Sequence, residues 1–222
     1  MHNYFKRQIE LWGEHIQFSL EEKKIAIIGA GGLGSSLAFA LGSSGIGEIH
    51  IIDFDDVNIH NIHRQIAFSL DDEGKNKAEV NAEMIKKRCP YTKVFPHKCD
   101  FETWSQKKIT VDLLIDATDN LPTRVTIDNY AKEKDILWIY GSVEAFNAQV
   151  CFFENAKFED FFKITAHTPH GIAAPMVMHA ASLQANLALR HLAGLKVRKD
   201  FVYYLFFNEE GELTTQKFSI GG

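Results

Sequence analysis

Two rhythms of apolar residues alternate along the chain. Short apolar runs at Lys24–Ile28, Glu48–Asp53, Lys93–Lys98, Val111–Asp116 and Leu137–Tyr140 read as buried strands. Between them the spacing is helical, over Leu33–Ser44, over Lys75–Arg88 (Ala78, Val80, Ala82, Met84, Ile85) and over roughly 122–134. Residues 4–22 predict a helical lead-in anchored by Ile9, Leu11, Trp12 and Ile16, whereas Val57–Phe68 is dense in polar groups and has no clear period. After Gly141 the character changes. A strand at Ala148–Phe153 is followed by an irregular crossover segment, 154–172, and a long apolar helix at Ala173–Ala193. Strands at Phe201–Phe207 and Glu212–Ile220 then flank the turn Asn208–Gly211 as a hairpin. Alternating strands and helices predict an α/β fold: a Rossmann-like, doubly wound, mostly parallel sheet, extended by C-terminal antiparallel strands. With no repeat and no long linker, residues 1–222 are expected to form one domain.

Composition narrows the classes. The chain has 222 residues, 45% hydrophobic and 24% charged, within the range of ordinary globular proteins. A net charge of −5 argues against a nucleic-acid partner. No apolar run approaches the roughly 20 residues that span a bilayer, and Met1–Gln8 lacks the apolar core of a signal peptide. Cys89, Cys99 and Cys151 suggest no disulfide framework, so a cytoplasmic setting is expected.

The first strand runs into Gly29-Ala-Gly31-Gly32-Leu-Gly34 and then into a helix. Gly29 allows a sharp turn, Gly31 lets the backbone approach a phosphate, and Gly34 lets helix and strand pack closely. The helix start adds unpaired N–H groups and the positive end of its dipole. Asp53 ends the second strand, where a carboxylate can accept hydrogen bonds from ribose hydroxyls. These features predict a nucleotide site. Taken alone they read as NAD or FAD binding and favour a dehydrogenase.

Later residues change the expectation. In an open parallel sheet the loops at the carboxyl ends of strands gather around one crevice. Asp53, Arg64-Gln65, Lys77 and Asp116-Ala-Thr-Asp119-Asn120 all fall at such ends. Arg grips phosphate with a fork of donors, Lys supplies a point charge, and Asp119 can hold magnesium. That set suits a triphosphate with a divalent ion better than an uncharged nicotinamide.

Tyr4–Gly13 with Arg7, Gly29–Gly34, Asp53-Phe-Asp55, Asn61-Ile-His-Arg64-Gln65, Lys77, Asp116–Asn120, Ala174-Pro-Met, Ser182-Leu-Gln-Ala and Leu192-Ala-Gly194 together resemble the ubiquitin-activating superfamily. The likeness is to its small bacterial members of the ThiF/MoeB/HesA type, and it covers nearly the whole chain. The resemblance implies ATP-dependent adenylylation of the C-terminal glycine carboxylate of a ubiquitin-like sulfur-carrier protein ending in Gly-Gly, in molybdopterin or thiamine synthesis. It further implies that Gly32 and Asp53 hold the nucleotide, that Asn61, Arg64 and Lys77 surround the phosphates, and that Asp119 coordinates Mg2+. Gly29, Gly31, Gly34, Asp55, Gln65 and Asn120 belong to the same nucleotide-binding motifs. Arg7 would reach the partner subunit's ATP site, which implies a homodimer. The implied catalytic set is Arg7, Arg64, Lys77 and Asp119.

The pattern also departs from the superfamily's. Many relatives carry paired Cys-x-x-Cys motifs for zinc; this chain has none, so no zinc site is expected. The crossover segment contains no Cys, and Cys151 lies in an apolar strand as a packed thiol, so an adenylate-only enzyme is expected. His167, His170 and His179 are read as peptide-contact rather than metal residues. Phe158, Phe161 and Phe162 are read as a docking surface for the carrier, and the terminal Gly221-Gly222 as coincidence. The alternatives are a tRNA-nucleoside dehydratase of the same superfamily, the NAD-dependent dehydrogenase, and a non-catalytic nucleotide-binding scaffold.

Overall fold

A computed structural model describes residues 2–162 and 171–220. Eight strands form one sheet: β1 (Lys24–Ile28), β2 (Glu48–Ile52), β3 (Lys93–His97), β4 (Leu113–Asp116), β5 (Leu137–Glu144), β6 (Asn147–Phe153), β7 (Phe201–Phe207) and β8 (Leu213–Ser219). Their spatial order is β3-β2-β1-β4-β5-β6-β7-β8. The first five are parallel, and β6, β7 and β8 continue the sheet antiparallel, as the sequence pattern predicts.

Alternate residues of the central strands serve two cores, because successive strand side chains point to opposite faces. Ile25, Ile27, Ile49, Ile51, Leu113 and Ile115 face one side, with α2 (Gly32–Leu41), α3 (Lys77–Arg88) and α7 (Ala174–Leu192). Ala26, Ile28, Leu114, Trp138 and Phe153 face the other, with α4 (Phe101–Ser105), α5 (Leu121–Lys134) and α6 (Phe158–Phe161). Both faces are covered, which is why these strands read as continuous apolar runs.

Helix starts follow local capping chemistry. Asn76 Oδ1 accepts from the Glu79 N–H at 3.3 Å and opens α3; Asn120 Oδ1 accepts from the Thr123 N–H at 2.9 Å and opens α5. Asp100 caps α4 in the same way (2.8 Å), a helix too short for its period to register in the sequence. The lead-in helix α1 (Lys6–Ser19) is broken at Gly13, whose φ of 84° is left-handed.

The end of β5 differs from the sequence pattern. Gly141 does not end a strand: β5 runs through it to Glu144 and turns at Ala145–Phe146 into β6. A side chain at 141 would meet the Gln184 carboxamide at 2.5 Å, so the glycine makes room for α7 rather than for a turn.

Candidate functional site

The chain passes from β1 outward to β2 and β3, then returns to place β4 on the other side of β1. The carboxyl ends of β1 and β4 therefore flank the topological switch point, where open α/β sheets form their crevice. The glycine turn enters from one side. Gly29 has a φ of 96°, and a Cβ there would lie 2.6 Å from the Ala117 carbonyl oxygen, so a side chain is excluded twice over. A Cβ on Gly34 would lie 2.0 Å from the Gly29 oxygen, which places the helix directly on the turn. No side chain caps α2 at Gly31, so the N–H groups of its first turn face the crevice with the positive dipole end.

Asp53 closes the other wall. Its Oδ2 accepts from the Ala30 N–H (2.6 Å) and its Oδ1 from the Asp55 N–H (2.8 Å). Burial pushes this carboxyl up, while those two bonds and the Lys77 charge pull it back. Each oxygen keeps a lone pair with which to accept from a hydroxyl. Lys77, at the first position of α3 and 6% exposed, pairs with Asp55 at 2.7 Å. Arg64 donates to Asn61 Oδ1 at 3.0 Å, and its backbone and stem lie against Gly32. The Gln65 carboxamide covers Gly31, its Nε2 3.3 Å from where a Cβ would sit. Val177 of α7 packs on Gly32 from above.

The loop after β4 completes the ring. Ala117 continues the ladder by donating to the Ile28 oxygen (2.8 Å), and Asp119 stands exposed two residues further on. The structure thus brings the glycines, Asp53, Asp55, Asn61, Arg64, Gln65, Lys77 and the Asp119 loop to one end of the sheet. Asn120 is adjacent, but its side-chain Oδ1 is engaged in capping α5.

Arg7 is elsewhere. Tyr4 donates to the Arg88 oxygen (2.8 Å), and Gln8 and Gln17 donate to the Ser44 oxygen (3.0 and 3.1 Å). Ser44 follows the far end of α2, a helix about 15 Å long at its usual rise. Arg7 therefore lies at the opposite pole from the crevice, 91% exposed and paired with Glu10 one turn along the same helix (2.7 Å).

Several residues with structural claims on the crevice do not stand out in the sequence. Asn81 donates to the Ala30 (3.2 Å) and Lys77 (3.0 Å) oxygens and is wholly buried. Arg124, 5% exposed, pairs with the fully buried Asp116 at 3.0 Å. Burial, the largest influence, raises the Asp116 carboxyl against the pull of the guanidinium and of Thr118; both its oxygens accept from Arg124 and Thr118 donors, the bonding pattern of a carboxylate paired with a guanidinium. Gln184 donates to the Asp116 oxygen at 2.7 Å. Polar side chains at core-facing positions of α3, α5 and α7 are the signal that marks them, since a buried polar group needs a partner.

Burial pushes the Cys151 thiol up to about 12, so it is a protonated core group. Phe158 is fully buried against Trp138, Tyr140 and Phe153 and is no docking surface; Phe161 is exposed and Phe162 partly so. His179 is exposed on α7, while His167, His170, the rest of residues 163–170 and Gly221-Gly222 lie outside the described residues. Among the described residues no group of three or more His, Cys, Asp or Glu is placed to hold a metal ion, and no helix is long and apolar enough to cross a membrane.

Sheet order, glycine turn and switch-point crevice define a Rossmann-like α/β protein with an antiparallel extension. The chain belongs to the ThiF family, whose model matches residues 5–220. It is 31% identical over 202 residues to a probable molybdopterin-synthase adenylyltransferase of Porphyra purpurea, covering 85% of this chain and 52% of that protein. It is 29% identical over 145 residues to a sulfur carrier protein adenylyltransferase of Thermus thermophilus, covering 64% and 54%. The chain thus spans about half the length of these relatives. In fold it resembles the E. coli MccB structure with ATP at a TM-score of 0.85 and 23% identity, over 99% of this chain and 72% of MccB.

Proposed function

We propose that this protein is an ATP-dependent adenylyltransferase that activates the C-terminal glycine carboxylate of a small ubiquitin-like sulfur carrier. The observation that carries the reading is the meeting of the α2 N-terminus, Asp53, Arg64, Lys77 and Asp119 at the β1/β4 switch point. Two cations and a ring of backbone N–H groups suit a triphosphate. The names of the Porphyra and Thermus relatives support the substrate class, for molybdopterin synthesis or another sulfur-transfer route such as thiamine synthesis. The ATP named with MccB supports the nucleotide.

A terminal carboxyl ionises at about 3.3–3.7, so the substrate needs no general base at neutral pH. One carboxylate oxygen attacks the α-phosphorus, the α–β phosphoanhydride bond breaks, and pyrophosphate leaves with the electron pair, giving an acyl adenylate. The work left to the protein is alignment and charge stabilisation. Asp53 accepts from the ribose, the first-turn N–H groups of α2 and Arg64 hold phosphate oxygens, and Lys77 exchanges its Asp55 partner for phosphate. Asp119 offers an exposed oxygen ligand of the kind Mg2+ takes alongside substrate phosphates, and an ion held there would supply neutralisation of phosphate charge. Arg7, at the far pole of its own subunit, would serve the crevice of a second subunit in a homodimer.

The test is ATP–pyrophosphate exchange with Mg2+ and each Gly-Gly-ending carrier of the same cell. Exchange that depends on one carrier and is lost when its last glycine is deleted supports the reading. Absence of exchange with every carrier, from folded protein, overturns it.

A further inference from the structure

The loop that presents Asp119 is tied from beneath by side chains of two helices, α5, which follows it directly, and α7, from the other face of the sheet. Asp116 Oδ1 accepts from both the N–H (2.9 Å) and the hydroxyl (2.6 Å) of Thr118, which bends the chain, and Oδ2 accepts from Arg124 Nε (3.0 Å). The same guanidinium donates to the Thr118 oxygen (2.7 Å), the carbonyl immediately before Asp119, and to the Gly141 oxygen (3.1 Å). From the other face, Gln184 Nε2 holds the Asp116 oxygen (2.7 Å), its side chain lying in the slot that Gly141 leaves open. Both carbonyls that bracket Ala117 are thus fixed.

A buried ion pair is a poor source of stability, because desolvation offsets its attraction and an apolar filling of like volume serves as well. What this pair adds is direction. The rigid guanidinium fork defines three bond vectors at once, which a lysine cannot reproduce. We propose that Arg124 and Gln184 are positioning residues for Asp119, holding the Asp116–Asn120 loop so that the Asp119 carboxylate meets a divalent cation bound with the nucleotide's phosphates. The inference rests on the nucleotide reading above and assigns neither residue any contact with substrate. α7 then touches both walls of the crevice, through Val177 at Gly32 and Gln184 at Asp116.

The experiment is ATP binding by calorimetry, with Mg2+ and with excess chelator, for wild type, Arg124→Lys, Gln184→Met, Asp119→Asn and the two double variants with Asp119→Asn. Thermal melts run in parallel. Removing a partner that orients a metal ligand lowers metal affinity by about 10- to 100-fold. The Mg2+-dependent gain in ATP affinity should fall by that order in Arg124→Lys. In Gln184→Met, which loses one neutral hydrogen bond, it should fall by about 2- to 12-fold. Metal-free ATP affinity should stay at the wild-type value, and neither substitution should add to Asp119→Asn. Equal losses with and without Mg2+, or losses that add to Asp119→Asn, would show a merely structural role and overturn the proposal. If Arg124→Lys does not fold, Gln184→Met decides by the same criteria. Wild type that binds no ATP removes the nucleotide reading and this one with it. A Mg2+ effect lost in Asp119→Asn yet intact in both single variants removes this one alone.

Discussion

Acid should loosen the edge of the sheet that carries Asp53, and His97 is where the effect can be isolated. His97 ends β3; its carbonyl accepts from the Asp53 N–H (3.1 Å), and its Nε2 shares a proton with His50 Nδ1 across 2.9 Å. His50 in turn meets Glu48 at 3.1 Å, and both rings pack on Trp104. Burial, then the neighbouring His50 and Lys107, push the His97 imidazole down to about 4 from its ordinary 6.5. Between those values the unfolded chain binds a proton that the folded chain refuses, so stability falls as pH falls through that window and is regained above it. Full proton uptake by the unfolded state at pH 5 would remove about 2 kcal/mol relative to pH 7. The ring is partly exposed, and solvent screening reduces this to about 1 kcal/mol. The perturbation is His97→Gln, which keeps a donor for His50 but does not titrate. Urea unfolding at pH 7 and pH 5 should show wild type losing about 1 kcal/mol more than the variant across that interval. Equal losses in the two proteins would refute the argument.

Other perturbations address the crevice and its surroundings. Gly34→Ala drives a methyl to within 2.0 Å of the Gly29 oxygen, and backbone cannot yield as a side chain can. The melting midpoint should fall by several degrees, for a cost of about 2–3 kcal/mol, and an unchanged melt would mean that α2 can slide off the turn. Arg7→Ala and Asp119→Asn should each be inactive alone, yet a refolded equal mixture should regain about a quarter of wild-type exchange, because half the dimers then carry one intact crevice. No recovery from mixtures proven to contain heterodimer would mean that Arg7 does not act across subunits. Cys151→Ala should leave carrier adenylation unchanged, since that thiol is buried and protonated. Loss of product at full ATP–pyrophosphate exchange would instead reveal a covalent role.

Much of this protein is readable from local rules. Strand runs, helix caps at Asn76 and Asn120, and the Gly29–Gly34 spacing each depend on residues near one another in the chain, so β1–α2, the alternating order and the final hairpin appear directly in the pattern. The convergence of Arg64, Lys77 and Asp119 on one end of the sheet is legible too, because strand ends in a parallel sheet gather by geometry and all three residues follow such ends. Tertiary structure decided the remainder. Gly141 reads as punctuation until Gln184, more than forty residues later, is found occupying its missing side chain. Phe158 looks like surface beside Phe161 until α6 turns it under Trp138. Asp116 reads only as the strand end of its motif, and Arg124 as one more helix residue, until burial forces each to find a partner, and Arg7 belongs to a motif whose own chain places it at the pole away from the crevice. Periodicity and turn chemistry act over a few residues, whereas the satisfaction of a buried charge depends on what folding brings alongside it.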